Sequence, residues 1–175
     1  MKTRQWAIVL AGGIFLLFFV IHTSLLPGYG MNWDEPIHFG RGQAILYFFL
    51  TGKKDFKSFE TSPPMRRSFY QSDGYTYEYL EKNFENLETL VIGAGHPVLS
   101  DLLASITNRI LYGWLGVLGD IESYHTYSVF LSAMLVGVIA YFASIIYGPF
   151  AGLIAGLSLL TYPLFLGETR FNIKD

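Results

Sequence analysis

The sequence predicts an all-α integral membrane chain: three transmembrane helices, with amphipathic interfacial helices in a long first outer loop. Three observations lead there. Mean hydropathy is positive, with 51% of the 175 residues hydrophobic and 17% aromatic. The apolar residues fall in long uncharged blocks rather than in the short alternations of a soluble core. Charge is sparse and nearly balanced, with 12 basic against 14 acidic residues, so no basic footprint points to nucleic acid.

The chain has no cysteine, which excludes a disulfide framework, a thiolate metal site and a cysteine nucleophile. Lys2 and Arg4 precede an uncharged run over about 6–26, long enough to cross a bilayer. A signal peptide shares the basic start and apolar middle, but Leu26-Pro27-Gly28-Tyr29-Gly30 offers no small-x-small cleavage site. An uncleaved anchor is therefore predicted, with the N-terminus cytoplasmic and Asp34 on the outer side of a bacterial or archaeal-type plasma membrane.

The outer loop spans 27–125. Asp34-Glu35-Pro36 reads as a helix start, since proline is tolerated in a first turn and carboxylates suit the positive end of a helix. The apolar stretch from Ala44 to Leu50 is too short to span, so a helix lying on the membrane surface is expected, closed by Thr51-Gly52. A polar segment with Lys53, Lys54, Lys57, Arg66 and Arg67 follows. His96-Pro97 opens the next helix, about 98–118. Ser100, Asp101, Ser105, Asn108 and Arg109 recur there at helical spacing and make one face polar. A full crossing would bury those charges, so an interfacial or partly inserted helix is expected. Asp101 and Arg109 are two turns apart, too far for a direct pair, and read as polar-face residues.

Residues 126–147 carry no charge and form the second predicted crossing. Gly148-Pro149 marks a tight turn. The third crossing, about 149–166, is rich in glycine, as close helix packing in a membrane permits. Residues 167–175 begin a second outer loop. Three passes put Asp34, Glu35, His96, Arg170 and Asp175 on the outer side together.

These features, in this order, resemble a known family. An Asp34-Glu35 pair after the first membrane helix, a His96-Pro97 opening the next helix, and a Pro163…Arg170…Asp175 ending are similar to the N-terminal part of glycosyltransferases of the GT-C fold. The resemblance is to the protein O-mannosyltransferase group and to bacterial lipid-carrier-dependent glycosyltransferases, which include the aminoarabinose transferases of lipid A. It covers essentially the whole chain, while its individual motifs are short. It implies an N-terminal fragment of a longer enzyme, inactive by itself. The implied reaction moves a sugar from a polyprenyl-phosphate donor to a lipid or protein acceptor at the outer membrane face.

The implied roles follow by position. Asp34 would take the acceptor proton as base, with Glu35 in a supporting or alternate role. His96 and Arg170 would hold the donor phosphate, where negative charge develops. His38, one turn on from Asp34, is a weaker substrate-binding candidate. Asp175 would position donor or acceptor, or share with Asp34 a divalent cation such as Mg or Mn, which oxygen ligands suit. Histidine before Pro97 agrees with the mannosyltransferase pattern; the aminoarabinose transferases carry lysine there.

Plainer readings stand beside these. Asp34-Glu35-Pro36 taken alone is a helix cap and first turn, and His96 a turn residue. His22 and His125, at helix ends, read as structural. A different GT-C enzyme such as an oligosaccharyltransferase is one alternative function. A small non-enzymatic membrane-anchored assembly or transport component is the other.

Overall fold

A computed structural model of the chain describes residues 2–30, 35–53 and 98–171. The predicted site residues Asp34, His96 and Asp175 lie outside them. The described residues are helices and turns, with no strand among them. Helix α1 (Lys2–Leu25) runs into a 3₁₀ turn at Leu26–Gly28, and α2 covers Glu35–Thr51. Helix α3 (Leu99–Asn108) continues into a π-helical stretch, Arg109–Trp114. Then come α4 (Asp120–Tyr147), α5 (Pro149–Thr161) and α6 (Pro163–Phe171). They divide into two units: α1 with the chain from Ser128 to Phe171, and the described residues between Pro27 and Tyr127.

Two helices, α1 and α4, are long and apolar enough to cross a membrane. Their 24 and 28 residues measure about 36 and 42 Å at about 1.5 Å per residue, against a hydrocarbon core of about 30 Å. In the first unit they run antiparallel. Arg4 Nε donates to the Tyr141 hydroxyl at 3.4 Å near one end, and the Phe19 and Phe130 rings meet near the other. Helices α5 and α6 run the same way as α1, with Gly156 against Ile14, Phe165 against Phe18 and Arg170 against His22. Ile14, Phe18, Ala133, Val136 and Ala140 form the core.

Small side chains set the spacing between these helices. A Cβ on Gly152 would overlap the Ser144 hydroxyl and lie 2.6 Å from the Ala140 carbonyl oxygen; one on Gly156 would lie 2.8 Å from Ile14 Cδ1. Gly152 and Gly156 form a Gly-x-x-x-Gly ridge, whose lack of side chains lets helix backbones approach closely. The outward face is the reverse: Trp6, Val9, Leu16 and Val20 on α1 and Phe142 and Ile146 on α4 are all exposed. An apolar band of that extent is a poor match to water and a good one to lipid.

The third apolar run, expected as one crossing over 149–166, consists of two helices. It bends by 63° between α5 and α6. Pro163 is the cause, because its ring blocks the preceding turn and it has no N–H to donate. The 13 residues of α5 measure only about 20 Å, too short to span alone. Tyr162 N–H turns back to the Leu159 carbonyl, and the Thr161 hydroxyl has the Leu157 and Ser158 carbonyls within reach at 3.0 and 3.3 Å.

In the second unit α2 is the central element. It starts at Glu35 with Pro36 next, and it ends at Thr51 because Gly52 takes a left-handed φ of 72°. Every residue from His38 to Leu46 is buried, while Phe49 and Leu50 at its end are exposed. Helix α3 lies parallel to it, His38 level with Asp101 and Gln43 with Asn108. The first turns of α4 run antiparallel to α2, Tyr124 reaching Gln43 and His125 reaching Glu35. A Cβ on Gly42 would overlap the Asp101 carbonyl and the Ser105 hydroxyl, so glycine there sets how closely α2 and α3 pack.

The helix predicted over 98–118 stops short and changes winding. Its π-helical stretch ends where Gly116 adopts a φ of 61°, with Val117 N–H returning to the Leu111 carbonyl at 2.9 Å. Trp114 is 71% exposed, and Leu115 and Val117 are also open. Helix α4 starts ahead of the predicted residue 126, at Asp120, with Asp120 and Glu122 in its first turn, where carboxylates suit the helix dipole.

Candidate functional site

The polar groups of the second unit gather on α2. Its first residue, Glu35, is buried and its Oε1 lies 3.0 Å from His125 Nε2 on α4. An ionised carboxylate only accepts, so in that pair Nε2 carries the proton and donates it. One turn on, His38 Nδ1 lies 3.2 and 3.3 Å from the two Asp101 oxygens and 3.2 Å from Arg41 Nη2. Nδ1 either donates to Asp101 or accepts from Arg41, never both. Arg41 itself pairs with Asp101 through Nε and Nη2. All three side chains are buried, and charge survives burial only where it is paired and hydrogen-bonded.

A second network lies further along α2. Gln43 Nε2 donates to Asn108 Oδ1 at 3.0 Å and to the Tyr124 hydroxyl at 2.6 Å. Asn108 Nδ2 in turn donates to the backbone oxygen of Asp120 at 2.9 Å and to its Oδ1 at 2.7 Å. Phe39 stacks flat on Tyr124, with ring centroids 4.0 Å apart. Three helices are thus cross-linked by hydrogen bonds on both sides of one aromatic pair.

In the first unit Arg170, near the end of α6, is buried, and its Nη2 donates to His22 Nδ1 at 2.7 Å. An imidazole that accepts at Nδ1 is neutral and holds its proton on Nε2. That Nε2 is buried with no hydrogen-bond partner, an arrangement that costs about 1–3 kcal/mol when nothing accepts the proton.

No protein-family model, curated protein or solved structure matches this chain. The site therefore rests on its own geometry and on the sequence resemblance.

Of the residues singled out from sequence, Glu35 and His38 share the first turns of α2, and Arg170 sits in the first unit. Asp34, His96 and Asp175 lie outside the described residues. His22 and His125, which read as structural from sequence, are the direct partners of Arg170 and Glu35. Arg41 was missed altogether. The available signal was an arginine three residues after a histidine on α2 and an aspartate on α3, each a charge that needs a partner when buried. Asp101 is no surface residue; it is the buried anion that Arg41 and His38 share. Arg109 is exposed.

Oxygen ligands for Mg or Mn would come from Asp34 and Asp175, neither of them among the described residues. Among those described, no three His, Asp or Glu side chains form a group suited to a metal ion. Glu35 and Asp101 are already engaged by His125 and by Arg41 and His38.

Proposed function

We propose that this chain is part of a GT-C-type membrane glycosyltransferase. It moves a hexose, mannose by its histidine pattern, from a polyprenyl-phosphate donor to a lipid or protein acceptor at the outer membrane face. Asp34 accepts the proton of the acceptor hydroxyl as its oxygen attacks the anomeric carbon. The bond from that carbon to the phosphate oxygen breaks, with inversion. His96 and Arg170 face the phosphate as it gains charge, and Asp175 positions donor or acceptor. Glu35 supports rather than replaces Asp34, because its carboxylate is buried and committed to His125.

The observation that supports this reading best is the contact of Arg170 with His22. It sets the end of α6 beside the last turn of α1. That favours the broken α5–α6 pair as a third pass, with the segments after α1 and α6 on the same side of the membrane. The ordering of Asp34-Glu35, His96-Pro97 and Arg170…Asp175 along such a topology is what the resemblance rests on.

The test is Asp34→Asn in the full-length protein, assayed for sugar transfer from a synthetic polyprenyl-phosphate hexose. Transfer is expected to disappear while expression and membrane insertion persist; undiminished transfer removes Asp34 from the chemistry. Cysteines placed singly at 34 and 175 are expected to react with a membrane-impermeant maleimide from the same side. Labelling from opposite sides rules out the three-pass topology.

A further inference from the structure

We propose that His22 and Arg170 together form a binding site for the phosphate of a lipid, with His22 as a direct ligand through Nε2–H. The proposal rests on the glycosyltransferase reading only for which lipid it holds. His22 is 2% exposed, its Nδ1 accepts from Arg170, and its Nε2 proton is left without an acceptor. His22 Nε2 is one of the buried side-chain atoms that lack a hydrogen-bond partner among the described residues, and such an N–H is a place where a ligand oxygen can accept. The Phe18 ring, 4.2 Å from that of His22, and the Phe165 ring beyond it give the imidazole an apolar backing.

The ligand chemistry follows from the donors. A neutral imidazole N–H next to a guanidinium suits an anionic oxygen. His22 occupies the last turn of α1, so in a membrane the pair sits where an apolar helix reaches the headgroup layer. Phosphate there belongs to a lipid, as a monoester or a diester, or it enters free from solution.

The test is thermal unfolding of the full-length protein in a neutral maltoside detergent, titrated separately with undecaprenyl phosphate, phosphatidylglycerol and inorganic phosphate. Undecaprenyl phosphate is expected to raise the midpoint saturably. His22→Phe, which keeps the ring against Phe18 but has no donor, is expected to weaken that binding at least tenfold. His22→Gln, whose amide can accept from Arg170 and donate onward, is expected to retain it within a few-fold. Equal protection by inorganic phosphate keeps the site and assigns it to free phosphate; equal protection by phosphatidylglycerol assigns it to bulk lipid. Undiminished binding by His22→Phe overturns the proposal. If that variant does not fold, ¹⁵N imidazole NMR of the wild type decides, because the His22 Nε2–H signal must move on adding the lipid phosphate. A His22-dependent site in a protein with no transferase activity keeps the site and discards the glycosyltransferase reading. Transfer that His22→Phe leaves untouched does the reverse.

Discussion

The Arg41 guanidinium meets the Asp101 carboxylate with both side chains at 0% exposure. The pair joins α2 to α3 across a sequence separation of 60. Removing one partner leaves a buried, uncompensated charge, which costs about 3–5 kcal/mol. Asp101→Leu and Arg41→Met are each expected to lower the thermal midpoint sharply in detergent. The double variant Arg41→Met with Asp101→Leu is expected to recover most of the loss, since well-packed apolar side chains replace such pairs at little cost. A double variant as unstable as the sum of the singles would show that the ion pair carries more than helix packing.

Glu35 and His125 offer a cleaner measure of coupling, because each is buried and their contact is a hydrogen bond of 3.0 Å. In a double-mutant cycle with Glu35→Gln and His125→Phe, an interaction energy of about 0.5–3 kcal/mol is expected from unfolding midpoints. Glu35→Gln keeps an acceptor for Nε2–H and should lose less stability than Glu35→Leu. In transfer assays Glu35→Gln is expected to retain part of the activity that Asp34→Asn abolishes. Equal loss in both would move Glu35 into the base role.

The glycines divide into those that hold helices together and those that do not. Gly42→Ala drives a methyl into the Asp101 backbone carbonyl, which cannot swing aside, and Gly156→Val pushes into Ile14. Each is expected to cost about 1–3 kcal/mol, as overpacking does. Gly12→Ala meets nothing within 4 Å and replaces a poor helix former, so a gain of up to about 1 kcal/mol is expected. Thermal midpoints of the three variants in one detergent check the order.

What was legible in the sequence was local. The end of α2 at Thr51-Gly52, the turn at Gly148-Pro149 and the helix start at Glu35-Pro36 follow from chemistry within a few residues. The two long apolar helices followed from the length of the uncharged runs. The bend at Tyr162 was not foreseen, although Pro163 was visible, because a proline in an apolar run is compatible with either a kink or a helix end. The buried network was not legible either. Asp101 was weighed against Arg109, the basic residue on its own helix, whereas its partner stands on α2; helical periodicity carries no information about such a pairing. Burial of α2 from His38 to Leu46 escaped for the same reason, since its polar residues find their partners on α3 and α4.

The glycine turn between α4 and α5 has a consequence for biosynthesis. Gly148 holds a φ of 96°, which L side chains rarely adopt, and α5 packs straight back on Ala140 and Ser144 through Gly152. These contacts are close in sequence, so they form with little loop-closure cost once both segments have emerged from the ribosome. Helix α5, too short to be inserted by its own hydrophobicity, would enter the bilayer as the second arm of a hairpin carried by α4. Contacts with α1, nearly the whole chain away in sequence, would come last, locking Ile14 onto Gly156 after the hairpin is in place.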